Sequence, residues 1–543
     1  MPMRRQSETG QHGLGPMSGY PWQILAVAFL MSIQALYLGF HVTPLGDIPD
    51  EVGHYSYVRD IADGEVFPLI GQAYMAPDLW GLPAELQRPE SRKNHIVQHP
   101  PLYYLVAAIP LVAADWVTDD AQFLYRAPRL VSALALGGLI LVLFQTLVSA
   151  RIPRHRAMTV APMIGLIPTV TYLASGTTND IFLFFLSALA TLYLVRFVIG
   201  RNLRDAYLCA LWLTLAGATK MTAWVAMVPM VGILLFEMRQ PLWVWIRHAF
   251  GVVSTALLFP VLWMIRNAYH FGQPFYIAGS ELERKVFDYG FTKLLRDEPV
   301  LDSLFAHFYG LVGFTGFCVS YDLREFCTGI QMTRIFLFPD AVFTDVMFLL
   351  VLGMVAYLVI VARKPGVPDR RIGPGMSVRD GLLWITANRW VRLSIMGVFV
   401  LVGMGLTVFI LTTSYLRDTP TGAMQLWTMA LAPLIGVVSM GLVLLPQEAR
   451  DRVALYGPVV FLFFGSVLLY QVYQGYLYNE WLRGVHGRYL YPVIPLLIVS
   501  AAIAFERLRV PTVVYLGIAL VLALAFYDAF LGQVIPFYLS VRI

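Results

Sequence analysis

The chain has 543 residues, of which 58% are hydrophobic and 13% are charged, with a net charge of +5 and a mean hydropathy of +0.66. A soluble globular protein carries about 25% charged residues, so this composition excludes a soluble enzyme and a disordered chain. Apolar runs of roughly 20 residues, the length of a membrane-crossing helix, recur along the chain. They exclude a β-barrel, whose strands are shorter and alternate in polarity.

These runs predict an all-α polytopic membrane protein with about 13 transmembrane helices. The loops on one side hold about 21 Lys and Arg against about 8 acidic residues, and the other side holds about 18 against about 26. The positive-inside rule therefore places the N-terminus in the cytoplasm. The first run is too long for a signal peptide and lacks a cleavage site, which predicts an uncleaved first helix. The predicted spans are 22–41, 129–149, 157–174, 181–199, 206–218, 222–236, 249–265, 341–361, 393–414, 425–446, 453–474, 489–505 and 510–530.

The spans divide the chain into three parts. Residues 1–275 form a first transmembrane module with a long outer loop, 42–128, while 276–340 form a second long outer loop. Residues 341–543 hold the C-terminal helices and a cytoplasmic connector, 363–392, whose seven basic residues suit an anionic lipid surface. Within the first loop, the apolar stretch 101–114 is short for a span and contains Pro110, which predicts an interfacial helix.

The strongest polar motif follows the first span. Pro49, Asp50 and Glu51 suit the first turn of a helix, where the helix dipole favours negative charge. On such a helix Asp50, His54 and Tyr57 share one face. This pattern is typical either of a capped helix on a membrane surface or of a functional face. In the second case the carboxylate and imidazole form a general base or a ligand pair for a divalent cation.

Two further motifs lie on the same side of the membrane. His99 precedes Pro100 and Pro101 at the start of the interfacial helix, where it can meet an anionic head group, and Tyr103 and Tyr104 follow. The tyrosines also fit the ordinary role of interfacial anchors. Asp180 begins the fourth span, where an aspartate is more often a helix cap than a ligand.

Three basic residues stand at outer ends of predicted spans: Lys220, Arg266 and Arg488. Snorkelling anchors explain any one of them. Together, on the side that holds Asp50 and His99, they indicate a site for a lipid-linked phosphate. We expect at least two of them to point into one cavity near Asp50, with Lys220 and Arg266 as the predicted pair.

Other chemistries lack support in the sequence. It contains no Walker loop, no dinucleotide-binding turn and no HExxH or GxSxG motif. No CxxC motif is present, and Cys318 and Cys327 in the second outer loop are predicted to form a disulfide in an oxidising compartment. No feature indicates a nucleic acid partner, and we expect a monomer in the lipid bilayer.

Several of these motifs together resemble the class C (GT-C) glycosyltransferases, and most closely a group of bacterial GT-C-like predicted membrane proteins of unknown function. Protein O-mannosyltransferases and lipid A aminoarabinose transferases are similar at greater distance. The resemblance covers roughly residues 20–275 and returns at 480–500. The motifs that carry it are Pro49-Asp50-Glu51 with His54, DGEVFP from Asp63, His99-Pro-Pro-Leu-Tyr-Tyr104, Thr178-Asn179-Asp180, RNAYHFGQPF from Arg266 and GRYLYPVIP from Gly487.

This resemblance implies an inverting enzyme of a bacterial inner membrane. Such enzymes move a sugar from a polyprenyl-phosphate-linked donor to an extracytoplasmic glycan, lipid or protein acceptor. The family aspartate falls on Asp50, expected as general base, with Glu51 as its catalytic motif neighbour. Lys220, Arg266 and Arg488 match positions near the lipid phosphate. The aminoarabinose transferases carry Glu-Lys where this chain has Gln98-His99, so His99 is expected to touch acceptor or metal.

The donor and acceptor are expected to bind His54, His99, Tyr103, Asn179 and Asp180. No ligand spacing demands a metal ion; if a divalent cation binds, Asp50, His54 and Asp180 are its expected ligands. The alternative functions are a transporter or flippase of lipid-linked saccharide, in which the same groups bind without chemistry, and a glycan polymerase or ligase.

Overall fold

The computed structural model describes residues 20–46, 48–75, 93–276, 448–479 and 487–536, with short pieces at 293–294, 298, 311–312 and 330–331. The predicted spans 341–361, 393–414 and 425–446, the connector 363–392 and the Cys318–Cys327 pair lie outside the described residues.

The described residues are almost entirely helical. A short antiparallel pair, β1 (Leu311–Val312) and β2 (Ile330–Gln331), accompanies the helices. The helices are α1 (Trp22–Tyr37), continued by a π-helical turn (Leu38–Val42), α2 (Glu51–Ala62), a 3₁₀ turn (His95–Gln98), α3 (Leu102–Asp115), α4 (Ala121–Arg126), α5 (Arg129–Ser149), α6 (Arg154–Val160), a 3₁₀ helix (Ala161–Leu166), α7 (Pro168–Ala174), α8 (Asn179–Gly200), α9 (Leu203–Gly217), α10 (Thr222–Glu237), α11 (Leu242–Phe271), α12 (Ala449–Asn479), a 3₁₀ turn (Gly487–Leu490), α13 (Ile494–Arg507), α14 (Thr512–Ala529) and a π-helical turn (Phe530–Val534).

The predicted all-α, multispan architecture is confirmed. Six described helices are long and apolar enough to cross a membrane, or up to seven if the bent pair α6–α7 counts as one span. That pair bends by 70° where Pro168 begins α7, so the predicted span 157–174 is broken. Helix α11 is longer than its predicted span, because Arg247 and Asn267 stay helical outside the apolar run until Gly272 ends the helix in a left-handed conformation.

The membrane core is built around α5 and α8. Helix α5 packs against both α1 and α8, and α8 also packs against α9. Small residues permit the close approach: a Cβ on Gly137 of α5 would lie 2.3 Å from the Ser32 hydroxyl of α1. Close packing of small residues stabilises helix pairs in a bilayer, where burial of apolar surface contributes little.

A buried ion network ties the C-terminal helices to this core. Glu237, at the end of α10, is fully buried and accepts hydrogen bonds from Arg452 Nε at 2.6 Å and from the Tyr456 hydroxyl at 2.5 Å. Arg201, which follows α8, pairs with the same carboxylate. Because α12 is held in this way, the chain that follows it can bring Arg488 back to the N-terminal module.

The chain between α1 and α5 forms a second apolar cluster. Helices α2 and α3 pack together, and Tyr57, Val97, Tyr103 and Tyr104 are completely buried between them. The prediction of a short helix at 101–114 is confirmed, but its tyrosines are core residues rather than interfacial anchors. The amide of Leu102 also donates to the carbonyl of Ala218 at 3.0 Å, which ties the start of α3 to the turn that carries Lys220.

Candidate active site

Asp50 stands immediately before α2 and has a left-handed backbone, with φ of 62°. Aspartate is among the few residues other than glycine that adopt this conformation readily. Its side chain caps no helix amide, so the capping interpretation of this residue is wrong, and it remains 36% exposed. The carboxylate is therefore accessible to a ligand.

Arg488 links Asp50 to Asp180. One terminal nitrogen of its guanidinium lies 3.1 Å from Oδ2 of Asp50, and the other lies 3.4 Å from Oδ2 of Asp180. Nζ of Lys220 donates to the second oxygen of Asp180 at 2.6 Å. Lys220 and Arg488 are 5% and 6% exposed, so both cations have lost most of their hydration.

These groups come from four distant parts of the chain. Asp50 precedes α2, Asp180 lies in the first turn of α8, Lys220 lies between α9 and α10, and Arg488 lies in the 3₁₀ turn before α13. The Thr178 hydroxyl caps α8 by accepting from the Asp180 amide at 3.3 Å. The alternative interpretation of Asp180 as the cap is therefore wrong, and its carboxylate is left to pair with the cations.

The electrostatic environment keeps Asp50 ionised. Burial raises the pKa of this carboxyl, but hydrogen bonding to His95 and the charge of Arg488 outweigh burial and hold the pKa well below its ordinary value. Nε2 of His95 lies 3.8 Å from the Asp50 carboxylate. At neutral pH Asp50 is thus a carboxylate facing the site.

Glu51, the motif neighbour of Asp50, is completely buried. Its two oxygens accept from Nε and a terminal nitrogen of Arg129 at 2.8 and 2.7 Å, and also from the amides of Gly46 and Thr177 at 3.0 and 2.8 Å. Each oxygen of this carboxylate already accepts two hydrogen bonds, which leaves neither of them for a substrate. The predicted catalytic role of Glu51 is therefore replaced by a structural one.

The Glu51–Arg129 pair holds together the segments that carry Asp50 and Asp180. Arg129 also donates to the carbonyls of Thr43 and Pro44, at 3.0 and 2.9 Å, and so fixes the chain that follows α1. Thr177, which contacts Glu51, is three residues before Asp180. A buried charge that loses its only partner costs about 3–5 kcal/mol.

We therefore expect Glu51→Gln and Arg129→Met each to lower the free energy of unfolding by about 3–5 kcal/mol, measured by thermal unfolding of the purified protein in detergent. The double variant should lose less free energy of unfolding than the sum of the two single losses, because no unpaired charge remains in it. Arg507→Gln is the matched control, since the Arg507 side chain is 34% exposed beside Asp451 and such pairs contribute about 0–1 kcal/mol. Equal losses in all three single variants would contradict the assignment.

His54 lies on the face of α2 towards Asp50, as predicted, but it is buried and bonded to Tyr104. Its Nδ1 lies 2.9 Å from the Tyr104 hydroxyl, which also accepts from the Asn179 side-chain amide at 3.1 Å. Burial lowers the pKa of His54 to about 3, and burial likewise lowers the pKa of His99 well below its ordinary value. Both imidazoles are neutral, which leaves Asp50 as the accessible base of the motif.

Tyr103, a predicted ligand-binding residue, is fully buried, and its hydroxyl lies 3.2 Å from that of Ser132. The structure therefore assigns Tyr103 to the second apolar cluster. His99 lies closer to the site: its backbone carbonyl accepts from the Tyr57 hydroxyl at 3.4 Å, and its Nδ1 has no hydrogen-bond partner among the described residues.

Two of the three basic residues lie at one carboxylate, but they are not the predicted pair. Lys220 meets Arg488 at Asp180, whereas Arg266 donates to the carbonyls of Pro68 and Phe67 at 3.0 and 3.4 Å. The guanidinium of Arg266 also covers the ring of Trp263 at 4.3 Å. Arg266 thus anchors the loop after α2 to the end of α11.

The predicted cation ligands do not fit a divalent metal ion. Both Asp180 oxygens face cationic side chains, and Nδ1 of His54 is engaged by Tyr104. Among the described residues, no group of three or more His, Cys, Asp or Glu side chains is arranged to hold an ion.

Two important residues were missed from the sequence. Arg129 begins an apolar span directly after a proline, a position typical of an ordinary residue at the end of a span. The signal that could have identified it is Glu51, because a buried carboxylate requires a cationic partner. Tyr104 reads as an interfacial anchor. Its hydroxyl meets His54 and Asn179 only because α3 packs against α2 and α8, which the local sequence does not show.

Comparison with known proteins gives matches to one family model and to solved structures. Residues 83–281 match a family described as "Predicted membrane protein (DUF2142)". Among curated proteins, no significant match is found.

The similar solved structures are two of ArnT from Cupriavidus metallidurans and one of an oligosaccharyltransferase from Archaeoglobus fulgidus. Apo ArnT is 16% identical with a TM-score of 0.31, covering 88% of this chain and 76% of that chain. ArnT bound to undecaprenyl phosphate is 15% identical with a TM-score of 0.34, covering 89% and 77%. The apo oligosaccharyltransferase is 11% identical with a TM-score of 0.28, covering 89% and 56%.

The chain is a multi-pass membrane protein, and over residues 83–281 it matches the family of predicted membrane proteins that the sequence resemblance named.

Proposed function

We propose that this protein is a membrane glycosyltransferase. It takes a sugar from a polyprenyl-phosphate-linked donor and transfers it to a hydroxyl of an extracytoplasmic glycan, lipid or protein. The observation that carries the proposal is the arrangement of Arg488, which contacts both the accessible Asp50 and the buried Asp180 that also binds Lys220. The resemblance of the Asp50, Asp180 and Arg488 motifs to class C enzymes supports it. The outer face of a bacterial inner membrane is the proposed location.

Lys220 and Arg488 are suited to hold the phosphate of the donor. Lys220 contacts one carboxylate and Arg488 contacts two, but Nε of Arg488 has no hydrogen-bond partner among the described residues, and the ammonium of Lys220 has further hydrogens to donate. Because both side chains are buried, their interaction with a phosphate is little weakened by water. Negative charge that develops on the leaving phosphate is therefore stabilised where it forms.

In the proposed reaction the acceptor oxygen forms a bond to the anomeric carbon while the bond from that carbon to the phosphate oxygen breaks. The bonding pair leaves with the phosphate, which becomes the polyprenyl phosphate product next to Lys220 and Arg488. Attack from the opposite face inverts the anomeric centre. The hydroxyl proton passes to the Asp50 carboxylate and from there to water.

The low pKa of Asp50 determines when it takes this proton. An ionised carboxylate with a low pKa is a weak base towards a free hydroxyl, but it orients that hydroxyl by accepting its hydrogen bond. The hydroxyl becomes strongly acidic as its oxygen bonds to the anomeric carbon. We therefore assign Asp50 to orient the acceptor and to accept its proton late in the step.

The direct test is the fate of the lipid pool. Cells that lack the protein should accumulate a glycosylated polyprenyl phosphate, detected by mass spectrometry of extracted lipids, and wild-type protein should restore the normal amount. An unchanged pool of every polyprenyl-phosphate-linked sugar would contradict the proposal.

Transfer should be nearly independent of pH between about pH 5 and pH 8. Asp50 has a depressed pKa and stays ionised over this range, and His54, with a pKa of about 3, stays neutral. The rate should fall only in stronger acid, as protonation removes the Asp50 carboxylate. Initial rates across this range provide the check, and a rate that changes about tenfold around pH 6.5, the ordinary pKa of histidine, would contradict the assignment of neutral imidazoles.

A further inference from the structure

Three polar side chains from three helices form a buried hydrogen-bonded chain beside Asp50. Asn179 of α8 donates to the hydroxyl of Tyr104 of α3 at 3.1 Å, and that hydroxyl lies 2.9 Å from Nδ1 of His54 on α2. Asn179 and Tyr104 are completely buried and His54 is 2% exposed. The ring of Tyr57 stacks on that of Tyr104 at 4.0 Å, which fixes the position of the hydroxyl.

The hydrogen-bond inventory of these groups sets the direction of the chain. A tyrosine hydroxyl has one hydrogen to donate, and here it already accepts from Asn179. If Nδ1 of His54 carried a hydrogen, the Tyr104 hydrogen would have no acceptor among the described residues. Burying an unpaired donor is unfavourable. The arrangement that gives the Tyr104 hydroxyl both a donor and an acceptor has Tyr104 donating to an unprotonated Nδ1, which places the single imidazole hydrogen of His54 on Nε2.

Two groups lie at the ends of this chain. Oδ1 of Asn179 is buried without a hydrogen-bond partner among the described residues, and the Tyr104 bond to Nδ1 of His54 leaves Nε2 of that ring to contact a ligand. A buried polar atom is normally paired, so the Asn179 oxygen calls for an explanation. One end is a donor and the other is an acceptor, and both residues bond to the same hydroxyl.

We infer that Tyr104 is a positioning residue that presents His54 as an Nε2–H donor and Asn179 as an acceptor to two hydroxyl groups of a sugar. This inference rests on the proposed function. A sugar hydroxyl both donates and accepts, so neighbouring hydroxyls can satisfy both ends. A phosphate diester oxygen only accepts, and it would leave Oδ1 of Asn179 unpaired.

Burial keeps the His54 ring neutral, because it is the largest influence on the pKa of this group and lowers it. Among the charged groups that face the ring, Asp50 and Asp180 favour a positive charge on it, whereas Lys220 and Arg488 oppose one. A neutral histidine whose hydrogen is fixed on one nitrogen is a directional donor over the whole physiological range of pH.

The test is nuclear magnetic resonance of the full-length protein in detergent, with ¹⁵N-labelled histidine and the His54 signals assigned by their loss in His54→Gln. We expect an unprotonated Nδ1 and a protonated Nε2, unchanged between about pH 5 and pH 8. In Tyr104→Phe the two ¹⁵N shifts should move towards each other, because both tautomers become populated. A hydrogen on Nδ1 in the wild-type protein, or no change in Tyr104→Phe, would overturn the inference.

Tyr103→Phe is the matched control, since its hydroxyl bonds to Ser132 rather than to His54. It should leave the His54 signals unchanged, and an equal effect of the two variants would indicate a general loosening of α3 instead of a specific contact.

A binding measurement separates sugar from phosphate as the partner. Undecaprenyl phosphate carries no sugar, so Tyr104→Phe should bind it with an affinity within about twofold of wild type. A loss of affinity of about tenfold would assign the two unpaired groups to phosphate and overturn the sugar assignment. If undecaprenyl phosphate binds to neither the wild type nor Tyr104→Phe, the proposed function fails instead. The ¹⁵N signals of His54 still decide whether Tyr104 fixes the tautomer of that ring.

Discussion

Replacing Asp50 with asparagine should reduce sugar transfer by about 10²- to 10⁴-fold, the range for loss of a group that accepts a proton in the transition state. Asparagine keeps the size of the side chain and can still accept a hydrogen bond, but it cannot take the acceptor proton. The loss should fall on kcat more than on KM, because the missing interaction forms mainly as the bond to the anomeric carbon develops.

The same change should leave the fold intact. Asparagine adopts the left-handed backbone of position 50 as readily as aspartate, and the Asp50 side chain caps no helix. Arg488 keeps its contact with Asp180, so no buried cation is left alone. Expression and the thermal unfolding midpoint in detergent should therefore remain close to those of the wild type.

Asp63→Asn is the matched control, because Asp63 ends the same helix and is exposed. It should transfer sugar at the wild-type rate. Full turnover by Asp50→Asn, or an equal loss in both variants, would refute the assignment of Asp50.

Replacing Arg488 with lysine should weaken binding of undecaprenyl phosphate by roughly 30-fold or more, since loss of a buried charge contact costs at least about 2 kcal/mol. The planar guanidinium contacts Asp50 and Asp180 with separate nitrogens and keeps a third for a ligand. A lysine ammonium is a single point and cannot hold both carboxylates and a phosphate in that geometry. Native mass spectrometry or a fluorescence titration would measure the change.

Arg266→Lys is the corresponding control. This arginine lies at the end of α11 and was a candidate for the same phosphate, but its guanidinium donates to the Phe67 and Pro68 carbonyls and covers Trp263. Its replacement should change lipid affinity by less than about threefold. A larger loss of lipid affinity for Arg266→Lys than for Arg488→Lys would instead assign the phosphate site to Lys220 and Arg266, the pair predicted from the sequence.

Much of the fold is predictable because the bilayer imposes simple rules on the sequence. Apolar runs located α1, α5, α8 and α12, since a membrane-crossing helix needs a minimum apolar length. The same rule failed at α6 and α7, because run length does not register the bend at Pro168. It also predicted too short a span for α11, where polar residues stay helical beyond the apolar run.

Four charged residues of the candidate site could be singled out from the sequence, but their pairings could not. Asp50, Asp180, Lys220 and Arg488 each stood out as a charge next to an apolar run. That Arg488 rather than Arg266 joins Lys220 depends on how α12 and α13 pack, which local sequence does not record. Glu51 and Asp50 are neighbours with equal charge, and only the buried Arg129 distinguishes their roles.

The central claim is that the protein transfers a sugar covalently, and product analysis with purified protein in sealed vesicles tests it most directly. The vesicles would contain polyprenyl-phosphate-linked sugars extracted from cells that lack the protein, together with an extract of envelope acceptors. We expect wild-type protein to consume the glycosylated lipid and release an equal amount of polyprenyl phosphate, while Asp50→Asn leaves the lipid intact. Movement of an unaltered glycosylated lipid from one leaflet to the other, without release of polyprenyl phosphate, would show a transporter and contradict the account.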